Sequence, residues 1–187
     1  MVDVPPTKQG KVLIELLRDR PHAWGSEIGV CRGETMMHLL RHLPRLERLY
    51  AVDPWEAYGA YKLSLAARKW RDQKTFDEAF RGYLGRILPF AGKVFILRAF
   101  SHEAAKAVPD QSLDFVFIDA NHAYQFVRED IDCWSPKVKP GGIIAGHDYL
   151  DRPSTGEQWG VIRAVNETFG SKVHMEPHHV WWVEKDG

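Results

Sequence analysis

Along the chain, short apolar runs of strand length take turns with longer stretches whose apolar residues recur at helical spacing. Lys8 to Arg18 puts Val12, Leu13, Leu16 and Leu17 on one helical face, and Arg20-Pro21 ends it. Ala23-Trp24-Gly25 then leads into Ser26 to Thr35, a sharp strand-to-helix turn with glycines at 29 and 33. Met36, Leu39, Leu40 and Leu43 mark the helix that follows, which stops before Pro44. Leu46 to Asp53 reads as a second strand and Lys93 to Arg98 as a third, separated by a helix that carries Phe76, Phe80, Tyr83, Leu84 and Ile87 and stops at Pro89. Phe115 to Ile118 is apolar on both faces, the mark of a central parallel strand covered by helices. The helix after it buries Tyr124, Val127, Ile131 and Trp134, and a Pro140-Gly141-Gly142 turn opens a fifth strand ending in His147 and Asp148. A capping box at Ser154 to Glu157 precedes a helix with Val161, Ile162, Val165 and Phe169 on one face. Lys172 to Met175 and Val180 to Val183 close the pattern as an antiparallel pair, with the indoles of Trp181 and Trp182 on opposite faces, which leaves a homo-oligomer interface open.

Bulk properties narrow the picture further. With 187 residues, 44% of them hydrophobic, the chain suits one well-buried core, and residues 1–187 read as a single domain. Lys plus Arg and Asp plus Glu number 25 each, so no global charge favours a nucleic-acid partner. Met1 to Pro6 lacks the basic and apolar segments of a signal peptide, and no apolar run approaches spanning length; the expectation is a cytoplasmic protein without a membrane partner. Cys31 and Cys133 fit neither a disulfide framework nor a zinc site and are expected as reduced thiols. His38, His42, His178 and His179 show no metal-ligand spacing and are expected at the surface.

The turn at residues 26–35 carries the first chemical signal. Glycines four apart let the backbone approach a ligand, and Gly33 opens a helix whose free N–H groups favour negative charge. A dinucleotide fingerprint needs a third glycine that is missing here, which disfavours an NAD(P)-binding oxidoreductase. Glu27, at the end of the strand, would repel a pyrophosphate and suits an ammonium group instead. Asp53 lies at about the twenty-residue interval at which α/β nucleotide folds place a ribose-binding acid, and equally fits an ordinary turn aspartate before Pro54. Residues 54–75 interleave Trp55, Tyr58, Tyr61 and Trp70 with Gly59, Lys62, Arg68, Lys69 and Arg71 and do not read as core. Two readings stand for this segment, a lid over cofactor and substrate or a helix with a solvated basic face. If this cation-rich side rims the pocket, an anionic acceptor is favoured.

The pattern E-x-G-x-x-x-G-x-T from Glu27 to Thr35, with FIDANHAY at 117–124 and VKPGGIIAGHDY at 138–149, resembles the class I S-adenosylmethionine-dependent methyltransferases of the bacterial small-molecule type. The resemblance implies a Rossmann-like α/β sandwich: a mostly parallel seven-stranded sheet, helices on both faces and an antiparallel C-terminal strand. It also implies S-adenosylmethionine as cofactor, with Glu27, Gly29 and Gly33 holding the methionine moiety, Asp53 at the ribose, Ala99, Phe100 and Ser101 flanking the adenine, and Val30, Cys31, Thr35 and Asp119 as further cofactor-binding residues. Ser101 equally reads as an N-cap for His102 to Ala107.

Asp119 and Asp148 end neighbouring strands, which lie about 4.8 Å apart, so their carboxylates can converge. Two carboxylates that close resist joint ionisation unless a cation lies between them, and Mg²⁺ held by both could lower the pKa of an acceptor hydroxyl. His122 and His147 are the alternatives for proton removal, and each also reads as structural, the first as a helix cap and the second as a hydrogen-bond partner. Asp148 completes the catalytic candidates. No Ser/His/Asp or Cys/His nucleophile arrangement is present, and Cys31 reads as a cofactor-loop residue. The expectation is methyl transfer to a small molecule, a sugar or other hydroxyl compound, with a non-catalytic module that binds an adenosine ligand as a rival.

Overall fold

The computed structural model describes residues 7–57, 72–150 and 159–187. Seven strands form one sheet: β1 (Trp24–Ile28), β2 (Arg48–Val52), β3 (Val94–Leu97), β4 (Leu113–Ile118), β5 (Val138–Gly146), β6 (His174–Glu176) and β7 (Val180–Glu184). Their order is β3-β2-β1-β4-β5-β7-β6. The first five pair in parallel, and β7 runs antiparallel to both β5 and β6. This is the expected sandwich, including the antiparallel closing pair.

The chain steps outward from β1 to β3, then returns to the other side of β1 with β4. The order therefore reverses between β1 and β4, and the connections leaving their carboxyl ends part there to open a crevice. Register fixes what meets in it. Ile28 pairs with Ile118 and Ile118 with Gly146, so Gly29, Asp119 and His147 follow as neighbours at one rim of the sheet.

Every residue of β4 is buried because both faces are covered. Phe115 and Phe117 pack with Leu13 and Leu17 of α1 (Lys8–Leu17), Met36 and Leu39 of α2 (Glu34–His42), and Tyr83 of α3 (Gln73–Ile87). Val116 and Ile118 face the other way, toward Ala104 of α4 (Ser101–Ala104), Ile131 and Trp134 of α5 (Tyr124–Trp134), and Val165 of α6 (Val161–Phe169). No helix among the described residues is long and apolar enough to cross a membrane.

Several expectations change in three dimensions. Trp55 belongs to the core: it is fully buried, stacks on Tyr83 at 5.2 Å, and donates its indole N–H to Cys31 O at 2.8 Å. Of the segment 54–75, Trp55 is core and helix α3 begins at Gln73, while residues 58–71, with Tyr58, Tyr61 and Trp70 and most of the expected lid, lie outside the described residues, as does the capping box at 154–157. His38 is buried against α1 near Gly10, and only His42, His178 and His179 of that group are exposed. Trp181 is buried in the second core, and Trp182 stacks on His174 with Arg20 over its ring, so both indoles are engaged within the chain.

Candidate active site

A cavity of about 340 Å³ opens at the carboxyl ends of β1, β2 and β4. Ile28, Gly29, Cys31, Asp53, Phe100, Ser101 and Asp119, all from the sequence-marked stretches, line it. Trp55, Asn121, Phe126, Glu129 and Asp130 line it as well and were not singled out by motif. Its wall is thus mainly apolar and aromatic with a few converging polar groups, the usual make-up of a small-ligand site.

Each glycine of the turn answers to a neighbouring protein group. Gly29 has φ +90°, and a Cβ there would lie 2.2 Å from Asp119 O; Gly33 has φ +74°, and its Cβ would lie 2.5 Å from the Tyr83 ring. Position 29 must stay bare for β1 to pass the exit of β4, and position 33 for α3 to pack on the start of α2. Asp53 ties the turn to β2: its Oδ2 accepts from Cys31 N–H at 2.9 Å and its Oδ1 from Trp55 N–H at 2.7 Å. Burial raises its pKa, and these backbone donors oppose the rise. Both oxygens keep lone pairs for a ligand on the cavity side.

Glu27 lies immediately behind Ile28 and Gly29. It is 2% exposed, its Oε2 has no hydrogen-bond partner among the described residues, and burial, reinforced by the charges of Asp119, Asp53 and Glu34, pushes its pKa well up. A buried carboxylate oxygen without a partner costs free energy, and a cationic ligand group is the partner that would offset it. The other candidates of the turn sit elsewhere: Val30 is in the core, and Thr35 bonds through its hydroxyl to Thr7 Oγ1 at 3.1 Å. Ala99 packs on the second core. Ser101 is not an N-cap, since Phe100 holds that position with extended backbone; its hydroxyl accepts from Trp134 Nε1–H at 2.8 Å.

The second half of the site adjoins Asp119. His122 Nε2 lies 3.0 Å from Asp148 Oδ2 and 4.0 Å from Asp119 Oδ1. His147 Nδ1 lies 3.2 Å from Asp148 Oδ2 and 3.5 Å from Asp119 Oδ1. Burial alone would lower both imidazoles; hydrogen bonds to Asp119 and Asp148, with their charges, outweigh it and hold His122 at about 9 and His147 at about 10. Burial likewise acts to raise the two acids, and the histidines overturn it, so both carboxyls end below their usual value. The carboxylates thus favour the protonated form of both rings, and a role as base requires that proton to leave first.

The fold determines this geometry. Asp148 has φ +57°, a left-handed backbone two residues beyond the end of β5. Trp159 seals the other side: its ring centroid lies 4.3 Å from that of His122, its Nε1–H donates to Asp148 O at 3.2 Å, and it bridges Ala123. Donor atoms of Asp119, His122 and Asp148 all lie within 4.8 Å of one another, a spacing that a divalent cation could span. The apolar cavity fits a nucleoside; Glu27 does not line it but directly precedes the lining residues Ile28 and Gly29, so an ammonium-bearing tail would have to reach past them to meet its carboxyl.

Residues 26–149 match the family model of a methyltransferase domain, well over half of the chain. The chain belongs to this family of S-adenosylmethionine-dependent methyltransferases. Solved structures with the same fold include a protein from Klebsiella pneumoniae assigned as an O-methyltransferase, at 16% identity and TM-score 0.68, covering 100% of this chain and 84% of that one. An S-adenosylmethionine-dependent O-methyltransferase of Thermotoga maritima covers 100% of this chain and 68% of its own at 11% identity and TM-score 0.62. A precorrin-6y C5,15-methyltransferase of Geobacter metallireducens covers 94% and 78% at 17% identity and TM-score 0.60. At these identities the likeness is one of fold. A curated relative, the uncharacterized protein y4gI of Sinorhizobium fredii, is 34% identical over 73 residues; the match takes in 37% of this chain and 8% of that protein's length.

Proposed function

We propose that this methyltransferase acts on an oxygen of a small-molecule acceptor, with Asp119, His122 and Asp148 as the residues that would hold a divalent cation beside it. The observation that carries the reading is the double membership of Asp119, which belongs both to the cavity wall and to the histidine–aspartate cluster. Donor site and proton-handling site thereby abut at one carboxylate.

S-adenosylmethionine, when bound, supplies an already activated methyl group, so the chain's part is alignment and exclusion of water. Gly29, Asp53 and the wall at Phe100 and Phe126 give the nucleoside its seat, and Glu27 gives its ammonium a counter-charge. Asp119 and Asp148 hold His147 beside the cluster, where an acceptor hydroxyl can pass its proton to the His147 imidazole once that ring has released its own, leaving His122 free to hold the cation. A divalent cation at the cluster would lower the pKa of that hydroxyl. Two carboxylates and an imidazole form an oxygen-rich donor set suited to Mg²⁺ or Mn²⁺.

The test uses methyl-labelled S-adenosylmethionine with panels of sugars, phenols and amines, each with added Mg²⁺ or with chelator. Label on hydroxyl acceptors, lost on chelation, is expected. Label on amines alone overturns the choice of oxygen, and undiminished O-methylation under chelator overturns the metal. Binding of S-adenosylhomocysteine with no acceptor labelled would point to a non-catalytic adenosine-binding module.

A further inference from the structure

The cavity contains a carboxyl that methyl transfer does not call on. Asp130 lies on α5 at the position that helical spacing groups with Val127, Ile131 and Trp134, and it is 4% exposed. It lines the cavity beside Ser101, Phe126 and Glu129, with Phe100 nearby on the same wall. Among the described residues no cation offsets its burial; the groups that act on it are the Ser101 hydroxyl, which is hydrogen-bonded to it, and the Glu129 carboxylate.

A short relay fixes this carboxyl. Trp134 is fully buried, and its Nε1–H donates to Ser101 Oγ at 2.8 Å. Because the hydroxyl accepts from the indole, its own proton is left to donate, and Asp130 receives it. The remaining lone pairs of Asp130 serve the cavity. Burial, with a smaller push from Glu129, raises the carboxyl to about 7 against the Ser101 bond, so a neutral form with an O–H donor beside a C=O acceptor is accessible at neutral pH.

We propose that Asp130 reads the amino edge of the bound aminopurine, accepting from its exocyclic N–H, with Ser101 and Trp134 as positioning residues that hold the carboxyl in place. The inference rests on the assignment of this cavity to the adenosyl group. An exocyclic amine next to a ring nitrogen presents a donor beside an acceptor, and a hydrogen-bonded carboxyl offers the complement. A purine without the amine leaves a buried acceptor unpaired, which is how such a site rejects the wrong base.

The full chain is titrated calorimetrically with S-adenosylhomocysteine and with its analogue carrying hydrogen in place of the 6-amino group. Wild type is expected to prefer the amino form by about tenfold or more, and Asp130→Ala to reduce that preference to within about twofold. Asp130→Asn, which keeps an acceptor beside a donor, is expected to retain most of it. Ser101→Ala should lower the ratio and Ser101→Thr restore it, a response that loss of packing alone would not give. A wild-type ratio near one, or an Asp130→Ala variant that weakens both ligands equally, overturns the inference while leaving the cofactor assignment standing. Failure of wild type to bind S-adenosylhomocysteine at all overturns that assignment, and this inference with it.

Discussion

Glu27→Gln should act in opposite directions on the free and the ligand-bound protein. In the free protein the Glu27 carboxyl is buried, and among the described residues one of its oxygens has no partner and the charges that act on it are negative. Its folded pKa is therefore raised above the unfolded value. A raised carboxyl binds its proton more tightly when folded, so wild-type stability falls as pH rises from the ordinary glutamate range through the raised value. Glutamine keeps the shape and removes that penalty; the free variant should melt higher than wild type at neutral and alkaline pH, and alike near pH 4, where both forms are neutral. In the complex the glutamine loses the counter-charge for the ligand's ammonium. A hydrogen bond between charged groups contributes about 1.5–3 kcal/mol, or roughly a 10- to 150-fold loss of affinity. At fixed ligand each tenfold loss removes about 1.4 kcal/mol of ligand stabilisation, worth about 3–6 °C of melting temperature in a chain of this size. Scanning calorimetry with and without S-adenosylhomocysteine reads both effects. A Gln variant that is less stable when free, or whose ligand-induced shift equals that of wild type, would refute the reasoning.

Mn²⁺ binding at the Asp119, His122 and Asp148 cluster should release protons at neutral pH and tighten as pH rises toward 9, because His122, held at about 9, must shed its proton to coordinate; calorimetry in buffers of different ionisation enthalpy checks this, and binding without proton release speaks against His122 as a ligand. In the metal-free protein the stability this cluster contributes should be full between about pH 4 and pH 6.5, fall at lower pH as the lowered carboxyls of Asp119 and Asp148 protonate, and be lost as pH rises through about 9 to 10, since both histidines are raised; Asp148→Asn should flatten the alkaline loss in a pH series of urea melts. Trp55→Ala should destabilise the fold by about 3–5 kcal/mol through the cavity it leaves, whereas a solvent-exposed lid residue would give near zero in the same urea titration. Gly29→Ala should cost more than Gly33→Ala, because its new methyl meets the backbone of Asp119 rather than a side-chain ring; equal melting temperatures for the two variants would contradict the packing described for the turn.

What was legible in the sequence follows from what periodicity and spacing encode. The apolar run at Phe115 to Ile118 is continuous because both faces of β4 are covered, and that fact alone places it at the centre of the sheet. Asp119 and Asp148 could be brought together from the strand ends because a parallel register carries them to the same rim. Trp55 was not legible as core: it follows Asp53-Pro54 in a stretch without strand or helix period, and its burial comes from Phe80 and Tyr83 of a helix that starts eighteen residues later, at Gln73. Ser101 shows the same limit, since its partners Trp134 and Asp130 come from α5, over thirty residues away for the indole. Asp130 did leave a signal, an acid on the helix face shared by Val127, Ile131 and Trp134. The protonation of His122 and His147 left none, because it depends on distances to two carboxylates that only the folded chain determines.

The most direct test of the whole account is a crystal structure of the chain with S-adenosylhomocysteine. The base is expected between Phe100 and Phe126 with its amine at Asp130, the ribose at Asp53, and the ammonium end paired with Glu27, so that the homocysteine sulfur faces Asp119. A nucleoside seated elsewhere on the sheet, or one in this cavity that leaves the Glu27 carboxylate without a partner, would contradict it.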